Sequence, residues 1–302
     1  MEKELLIFVN GRFVEKSKAT ISVFDHGLLY GDGVFEGIRA YGGSVFQLDA
    51  HIRRLYDSAK FIHLKIPISR EQMAEAVLET LRKNGLRDAY IRVVVTRGPG
   101  DLGIDPALCK EPTLFIIAEP MASSLGPREP RVVNVCISSI RRDSVDATSH
   151  EVKSLNYLNS ILAKIEASNV GLDDAIMLDS RGFVSEASVT NVFVVREGKV
   201  HTPPASSGIL HGITRARIIR LCSDLGLTVL ERDITPFELV TADEVFLVGT
   251  KSEILAVGSV NGSKIGSGGA GPVTRRLASE FSRLVQRKEE GTPIYTTESL
   301  KT

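Results

Sequence analysis

The residue best placed for covalent chemistry is Lys153, in the run Glu151-Val152-Lys153-Ser154-Leu155-Asn156-Tyr157-Leu158, with a helical pattern beginning just after it. A lysine held where an extended segment enters a helix can form a Schiff base with an aldehyde if burial keeps part of its amine neutral. An arbitrary lysine is a solvated surface charge, so Lys153 takes its meaning from other groups. Two segments and one arginine could hold an anion such as phosphate. Gly208-Ile209-Leu210-His211-Gly212-Ile213-Thr214 leads into Arg215-Ala216-Arg217-Ile218-Ile219-Arg220-Leu221. Thr214 reads as a helix cap and Gly226 as the stop, and the loop exposes backbone N–H groups at the positive end of the helix. Val248-Gly249-Thr250-Lys251-Ser252 ends a strand in a glycine and two hydroxyls. Arg54 could add a bidentate guanidinium. Taken singly, these are an ordinary capped helix, a turn and a solvated arginine. Two common phosphate motifs fail: Gly31-Asp32-Gly33-Val34-Phe35-Glu36 carries Glu where GxGxxG needs its last glycine, and GxxxxGK[ST] does not occur.

The elements that must position these groups are legible in outline. Leu6 to Val14 is two apolar runs around Asn10-Gly11, a hairpin signal. Gly33 to Tyr41 alternates, so Phe35, Gly37, Arg39 and Tyr41 share one strand face and Val34, Glu36 and Ile38 the other. Asp49 reads as the cap of a helix carrying Ile52, Leu55, Ala59 and Ile62. Ser69-Arg70-Glu71-Gln72 is a capping box for a helix stopped at Gly85. Tyr90 to Thr96 is a strand with Tyr90, Arg92 and Val94 on one face, and Thr113 to Ala118 is another. Strand runs follow at 131–137, 174–178, 190–195, 227–232 and 244–248, with helices over roughly 155–169, 214–225 and 274–288. Many short strands with few helices predict a barrel-like or sandwich-like α+β body rather than a doubly wound parallel sheet. The Pro/Ser/Gly stretch from Glu119 to Pro127 reads as a linker.

Composition narrows the class. A chain of 302 residues, 43% hydrophobic and 25% charged, can bury two cores and is neither disordered nor membrane-spanning. Lys+Arg and Asp+Glu balance at 37 each, which gives no pull toward nucleic acid or an anionic membrane. Arg128, Arg131, Arg141 and Arg142 form a locally basic stretch, read as a solvated face. No signal peptide is read behind Met1. Cys109, Cys136 and Cys222 are widely spaced and fit reduced thiols in a cytoplasmic protein. The six histidines lack metal-ligand spacing, so no metal is expected.

Read together and in order, the motifs resemble those of the class IV aminotransferases, the fold-type IV pyridoxal 5′-phosphate enzymes, and most closely the branched-chain amino-acid group. The resemblance runs from about Phe8 to Leu277. It rests on Asp25-His26-Gly27 with Tyr30-Gly31-Asp32-Gly33-Val34-Phe35-Glu36-Gly37-Ile38-Arg39, on His51-Ile52-Arg53-Arg54-Leu55 and Tyr90-Ile91-Arg92, and on the Lys153 run. Val184-Ser185-Glu186-Ala187 with Thr190-Asn191-Val192-Phe193, Gly212-Ile213-Thr214-Arg215 and Asp243-Glu244-Val245-Phe246 through Thr250 complete it.

The resemblance implies a small α/β domain over 1–118, a linker over 119–130 and a larger pseudo-barrel domain over 131–302. It implies that Lys153 binds pyridoxal 5′-phosphate covalently and moves the proton at the substrate Cα, and that Glu186 pairs with the pyridine nitrogen. Tyr157, one turn into the helix, would meet the 3′ oxygen. Arg54, Gly212, Ile213, Thr214 and Thr250 would hold the phosphate, with Leu210 against the ring. Tyr30, Phe35, Gly37, Arg39, Tyr90, Arg92, Thr250 and Lys251 are the implied substrate residues, and the substrates are amino acids and 2-oxo acids. A homodimer or higher homo-oligomer is implied, with the loop Gly98-Pro99-Gly100-Asp101-Leu102-Gly103 reaching a neighbouring subunit's pocket. Lys153-Ser154-Leu155-Asn156 also suits the D-amino-acid aminotransferases, and (R)-amine aminotransferases and aminodeoxychorismate lyases share the fold. Tyr157, Tyr90 and Arg92 favour L-branched-chain amino acids.

Overall fold

Asn10 and Gly11, both at positive φ (46° and 84°), close a two-residue turn between β1 (Leu6–Val9) and β2 (Arg12–Glu15), as Asn-Gly favours. The computed structural model describes residues 4–122, 126 and 128–295. The chain forms two compact units: Met1–Leu125 with Val152–Asn156 and Leu284–Thr302, and Gly126–Glu151 with Tyr157–Arg283.

The first unit contains β1, β2, β3 (Gly33–Tyr41), β4 (Ser44–Phe46), β5 (Ala89–Thr96) and β6 (Thr113–Pro120). With the strand Gly291–Pro293 they form an antiparallel sheet in the order Gly291–Pro293, β4, β3, β5, β6, β1, β2. Helices α1 (His26–Tyr30), α2 (Leu48–Phe61) and α3 (Arg70–Lys83) accompany it. The alternation of β3 places Val34 and Ile38 in one core with Ile52, Leu55 and Ala59 of α2 and Met73, Val77 and Leu81 of α3. Each fully buried aliphatic side chain there contributes about 1.5–3 kcal/mol. The capping box forms as expected: Ser69 Oγ accepts from Gln72 N, and the Gln72 side chain from Ser69 N. Asp49 does not cap α2. That position falls to Gln47 in left-handed backbone (φ 52°), its amide donating to Glu290, while Asp49 sits in the first turn and pairs with Arg53 at 2.7 Å.

The second unit contains β7 (Val132–Ile137), β8 (Asp174–Leu178), β9 (Val184–Ala187), β10 (Asn191–Arg196), β11 (Lys199–Thr202), β12 (Val229–Glu231), β13 (Glu244–Gly249), β14 (Glu253–Val260) and β15 (Ser263–Lys264). They make a mixed sheet in the order β12, β11, β10, β13, β14, β7, β8, β9, with β15 beside β14. The β11–β12, β14–β7 and β7–β8 pairs are parallel. Helices α4 (Leu158–Asn169), α5 (Ile213–Asp224), α6 (Pro236–Val240) and α7 (Pro272–Leu284) complete the series. The core gathers Val133, Ile176, Val192, Val194, Val245 and Leu247.

The expected domain limits shift in three places. β6 continues to Pro120, paired with Ala89, which carries the first unit past 118. Residues 152–156 return to the first unit because they hydrogen-bond to β3. The C-terminal segment returns as well, because Gly291–Pro293 pairs with β4. Residues 123–125 and 127 of the expected linker lie outside the described residues.

Candidate active site

In the first unit, β5 pairs with β3 from Gly33 to Ala40, whereas β4 pairs only with Ala40 and Tyr41 on the opposite edge. The open edge at the start of β3 is taken by the Lys153 segment. Phe35 N donates to Lys153 O at 3.0 Å, Leu155 N to Gly33 O at 2.9 Å, and Ser154 bridges Val34. Lys153 N also donates to Ser58 Oγ on α2 at 3.1 Å. Lys153 is therefore fixed by strand-like bonds, and the helix expected from about residue 155 begins only at Leu158. Its ammonium nitrogen lies 4.3 Å from the Phe35 ring centroid, a cation–π distance.

The other face of β3 presents a buried charge cluster. Glu36 is fully buried and shares that face with Val34 and Ile38. Arg54 clasps it bidentately, Nε to Oε1 at 2.7 Å and Nη2 to Oε2 at 2.8 Å, and His51 Nδ1 lies 2.7 Å from Oε2. Glu36, fully ionised, can only accept, so Nδ1 carries the proton. Burial pushes the Glu36 carboxyl up, but the charges of Arg54 and His51 outweigh it and hold it at about 2. Burial dominates at His51 and depresses its basicity against the pull of Glu36. Arg54 is thus an oriented guanidinium rather than a solvated one.

Phe35, Gly37 and Arg39 share the face of β3 that meets Tyr90 and Arg92, with Gly37 opposite Arg92 and Arg39 opposite Tyr90. Gly37 lies in close approach to Tyr90: a methyl there would stand 2.2 Å from Tyr90 Oη, so the tyrosine side chain would have to shift. The Arg92 guanidinium stands 4.5 Å over the Phe35 ring and donates to Tyr90 Oη at 3.3 Å. Arg39 is buried, stacks 4.7 Å over Tyr41 and donates to Ala122 O at 3.3 Å. Tyr30, on α1, is exposed and its oxygen accepts from Gly103 N at 3.0 Å, which ties it to the 98–103 loop.

In the second unit, Glu186 of β9 is buried, and both its oxygens are engaged. Oε1 accepts from Arg142 Nη2; Oε2 accepts from Asn191 Nδ2 at 2.8 Å and from Leu210 N at 3.1 Å. Arg142 is itself buried, so its expected place on a solvated basic face is wrong: with Glu186, Ser160 Oγ and Gly208 O as acceptors it lies inside. The loop from Gly208 reaches α5, whose cap is Gly212 rather than Thr214. Gly212 holds that position because a Cβ would lie 2.1 Å from Asn191 Oδ1, and Thr214 becomes a buried residue of the first turn. No side chain caps this helix, which leaves its N-terminal N–H groups for an anion. Leu210 is part-buried in the same loop. Tyr157 is the residue before α4, not one turn inside it. Thr250 and Lys251 lie in the turn between β13 and β14, Thr250 part-buried and Lys251 exposed.

These groups suit a phosphorylated aromatic aldehyde. Within the first unit an amine and an oriented guanidinium answer to an aldehyde and a phosphate; within the second a buried carboxylate and an uncapped helix terminus answer to a basic ring nitrogen and a phosphate. Four contributors have no role assigned from sequence: Glu36, His51, Arg142 and Asn191. Only Glu36 carries a signal, as a charge on the apolar face of an alternating strand.

A family model described as amino-transferase class IV matches residues 33–260. A putative branched-chain-amino-acid aminotransferase of Methanocaldococcus jannaschii is 51% identical over 289 residues, covering 96% of this chain and 99% of that one. The crystal structure of the Escherichia coli branched-chain amino acid aminotransferase is similar with a TM-score of 0.92 at 35% identity, covering 97% of this chain and all of the other. That of the branched-chain amino acid aminotransferase from Thermobaculum terrenum in its PLP-bound holo form is similar with a TM-score of 0.89 at 31% identity, covering 98% and 100%.

Proposed function

We propose that this chain, which belongs to the class IV aminotransferases, transfers an amino group between L-leucine, L-isoleucine or L-valine and 2-oxoglutarate, giving the branched-chain 2-oxo acid and L-glutamate. The observation that carries the substrate class is likeness to branched-chain enzymes over nearly the whole chain. When bound, pyridoxal 5′-phosphate supplies an electrophilic aldehyde and an electron-accepting ring. Lys153 Nζ would hold the aldehyde carbon and would be the group that moves the proton at the substrate Cα. The Glu186 carboxylate keeps a proton on the ring nitrogen. Tyr157 would hold the 3′ oxygen, and Leu210 would lie against the ring. The phosphate is bound by the Arg54 guanidinium, by the N–H groups that follow Gly212 at Ile213 and Thr214, and by the Thr214 and Thr250 hydroxyls.

Phe35, Tyr30 and Tyr90, with Gly37 leaving room beside them, take the aliphatic side chain. Arg39 and Arg92 take the second carboxylate of 2-oxoglutarate or glutamate, and Thr250 and Lys251 complete the substrate set. The assembly is a homodimer or higher, supported by an apolar stripe on α4: Leu158, Ile161, Leu162 and Ile165 are 61%, 51%, 43% and 48% exposed at helical spacing. Leu102 in the 98–103 loop and Ile104 just after it, 71% and 84% exposed, are a second apolar surface. No described helix is long and apolar enough to cross a membrane, and the three cysteines are free thiols, which supports a cytoplasmic place.

A donor panel with 2-oxoglutarate tests the reading. L-leucine, L-isoleucine and L-valine are active, D-alanine is not, and Lys153→Ala loses both activity and the visible absorption of the bound cofactor. Full activity with D-alanine and none with L-leucine overturns the substrate assignment in favour of a D-amino-acid enzyme and leaves the cofactor set standing.

A further inference from the structure

Resting on that cofactor reading, we propose that Asn191 and Arg142 are positioning residues. They clamp Glu186 to the loop 208–212, so that the ring-nitrogen carboxylate and the phosphate-binding end of α5 form one mechanical piece. Asn191 opens β10, its position fixed by pairing with Val248 of β13. Its amide nitrogen donates both to Glu186 Oε2 at 2.8 Å and to Leu210 O at 3.0 Å. Those acceptors fix the orientation of the amide, and Oδ1 then faces Gly212, where a methyl would stand only 2.1 Å away. Leu210 closes the link: its N–H donates to Glu186 Oε2 at 3.1 Å, and its carbonyl also accepts from Gly212 N at 2.8 Å.

Arg142 holds the other side. Nη2 donates to Glu186 Oε1, Nη1 to Ser160 Oγ at 3.0 Å and Nε to Gly208 O at 3.3 Å. Each of the two residues therefore touches both Glu186 and the loop, at opposite ends of the 208–212 run. A buried carboxylate with a guanidinium on one oxygen and two N–H donors on the other cannot rotate without breaking the loop's bonds.

The test reads cofactor affinity by visible absorption on titrating the apoprotein with pyridoxal 5′-phosphate, with melting temperature as the check on folding. Gly212→Ala and Asn191→Ala each weaken binding about tenfold or more. Their combination is no weaker than Asn191→Ala by more than about threefold, because the added methyl takes the space Oδ1 occupied. Asn191→Asp keeps the side chain's shape but sets a second carboxylate against Glu186. It weakens binding about tenfold or more, and Gly212→Ala still has its full effect in that background. Inorganic phosphate, competing at the α5 end alone, binds at least about threefold more weakly to Asn191→Ala.

Additive losses in the Gly212–Asn191 pair, wild-type affinity in Asn191→Asp, or an unchanged phosphate constant each overturn the clamp while leaving the transaminase reading intact. A wild-type protein that shows no absorption change with the cofactor overturns that reading, and the clamp with it.

Discussion

Replacing Glu36 by Gln tests a charge buried completely in the first unit. The carboxylate is fully buried among aliphatic side chains and is held by Arg54 and His51. Breaking such a pair by removing one partner costs about 3–5 kcal/mol. Linkage gives a second estimate. The folded value of about 2 against an ordinary 4.5 corresponds to roughly 3 kcal/mol of stability at pH 7. The sign follows from a depressed carboxylate: the contribution is complete above the ordinary value and is lost as pH falls toward about 2. It has dropped to about 2 kcal/mol by pH 3.5. Thermal unfolding followed by circular dichroism is the assay. Glu36→Gln melts some 6–12 °C below the wild type at pH 7, and the gap narrows as both are taken from pH 5 to pH 3.5. Because Arg54 loses its fork, cofactor affinity falls about tenfold or more in parallel. A gap under about 2 °C at pH 7, or one that does not shrink with acid, refutes the reasoning that this carboxylate is ionised and that its pairing outweighs its burial.

Gly37→Ala forces a methyl onto Tyr90 Oη, which stands 2.2 Å from the required position. We expect KM for L-leucine to rise about tenfold with the absorption of bound cofactor unchanged; an unaltered KM removes Tyr90 and Gly37 from the substrate pocket. The double change Leu158→Asp and Ile161→Asp places charges on side chains 61% and 51% exposed. It costs the isolated fold less than about 1 kcal/mol and lowers the mass seen by sedimentation equilibrium, whereas an unchanged mass shows that the α4 stripe is not a subunit interface.

The parts of the site that sequence exposes are those governed by local rules. The Asn10-Gly11 turn, the Ser69 capping box and the alternation of β3 all form as their residues dictate. Where reading fails, the deciding contact is distant. Thr214 has the side chain of a cap, but Asn191 on another strand fills the space a Cβ would need at Gly212, so glycine takes the cap. Tyr157 reads as part of a helix that in fact starts after it, because the unpaired edge of β3 draws Lys153 to Leu155 into strand-like bonds.

Charges follow the same division. Arg142 and Arg141 are neighbours of one type, and nothing in their local pattern separates them. The fold makes the distinction, with Arg142 5% exposed against Glu186 and Arg141 exposed. A lone arginine read from sequence defaults to solvent because ionised groups are rarely buried unpaired. The informative sign is therefore an acid at a core position, since a buried carboxylate demands a buried cation. Glu36, between Val34 and Ile38 on the inward face, carries that sign, and it directs the search to the next element with a basic stripe. His51 and Arg54, at helical spacing on α2, are that stripe. Glu186 carries no such sign, because its strand spans only four residues, Val184–Ala187, too few for an apolar alternation to be read around it. Its cation lies in a loop with no period to read, so only tertiary structure could pair Arg142 with it.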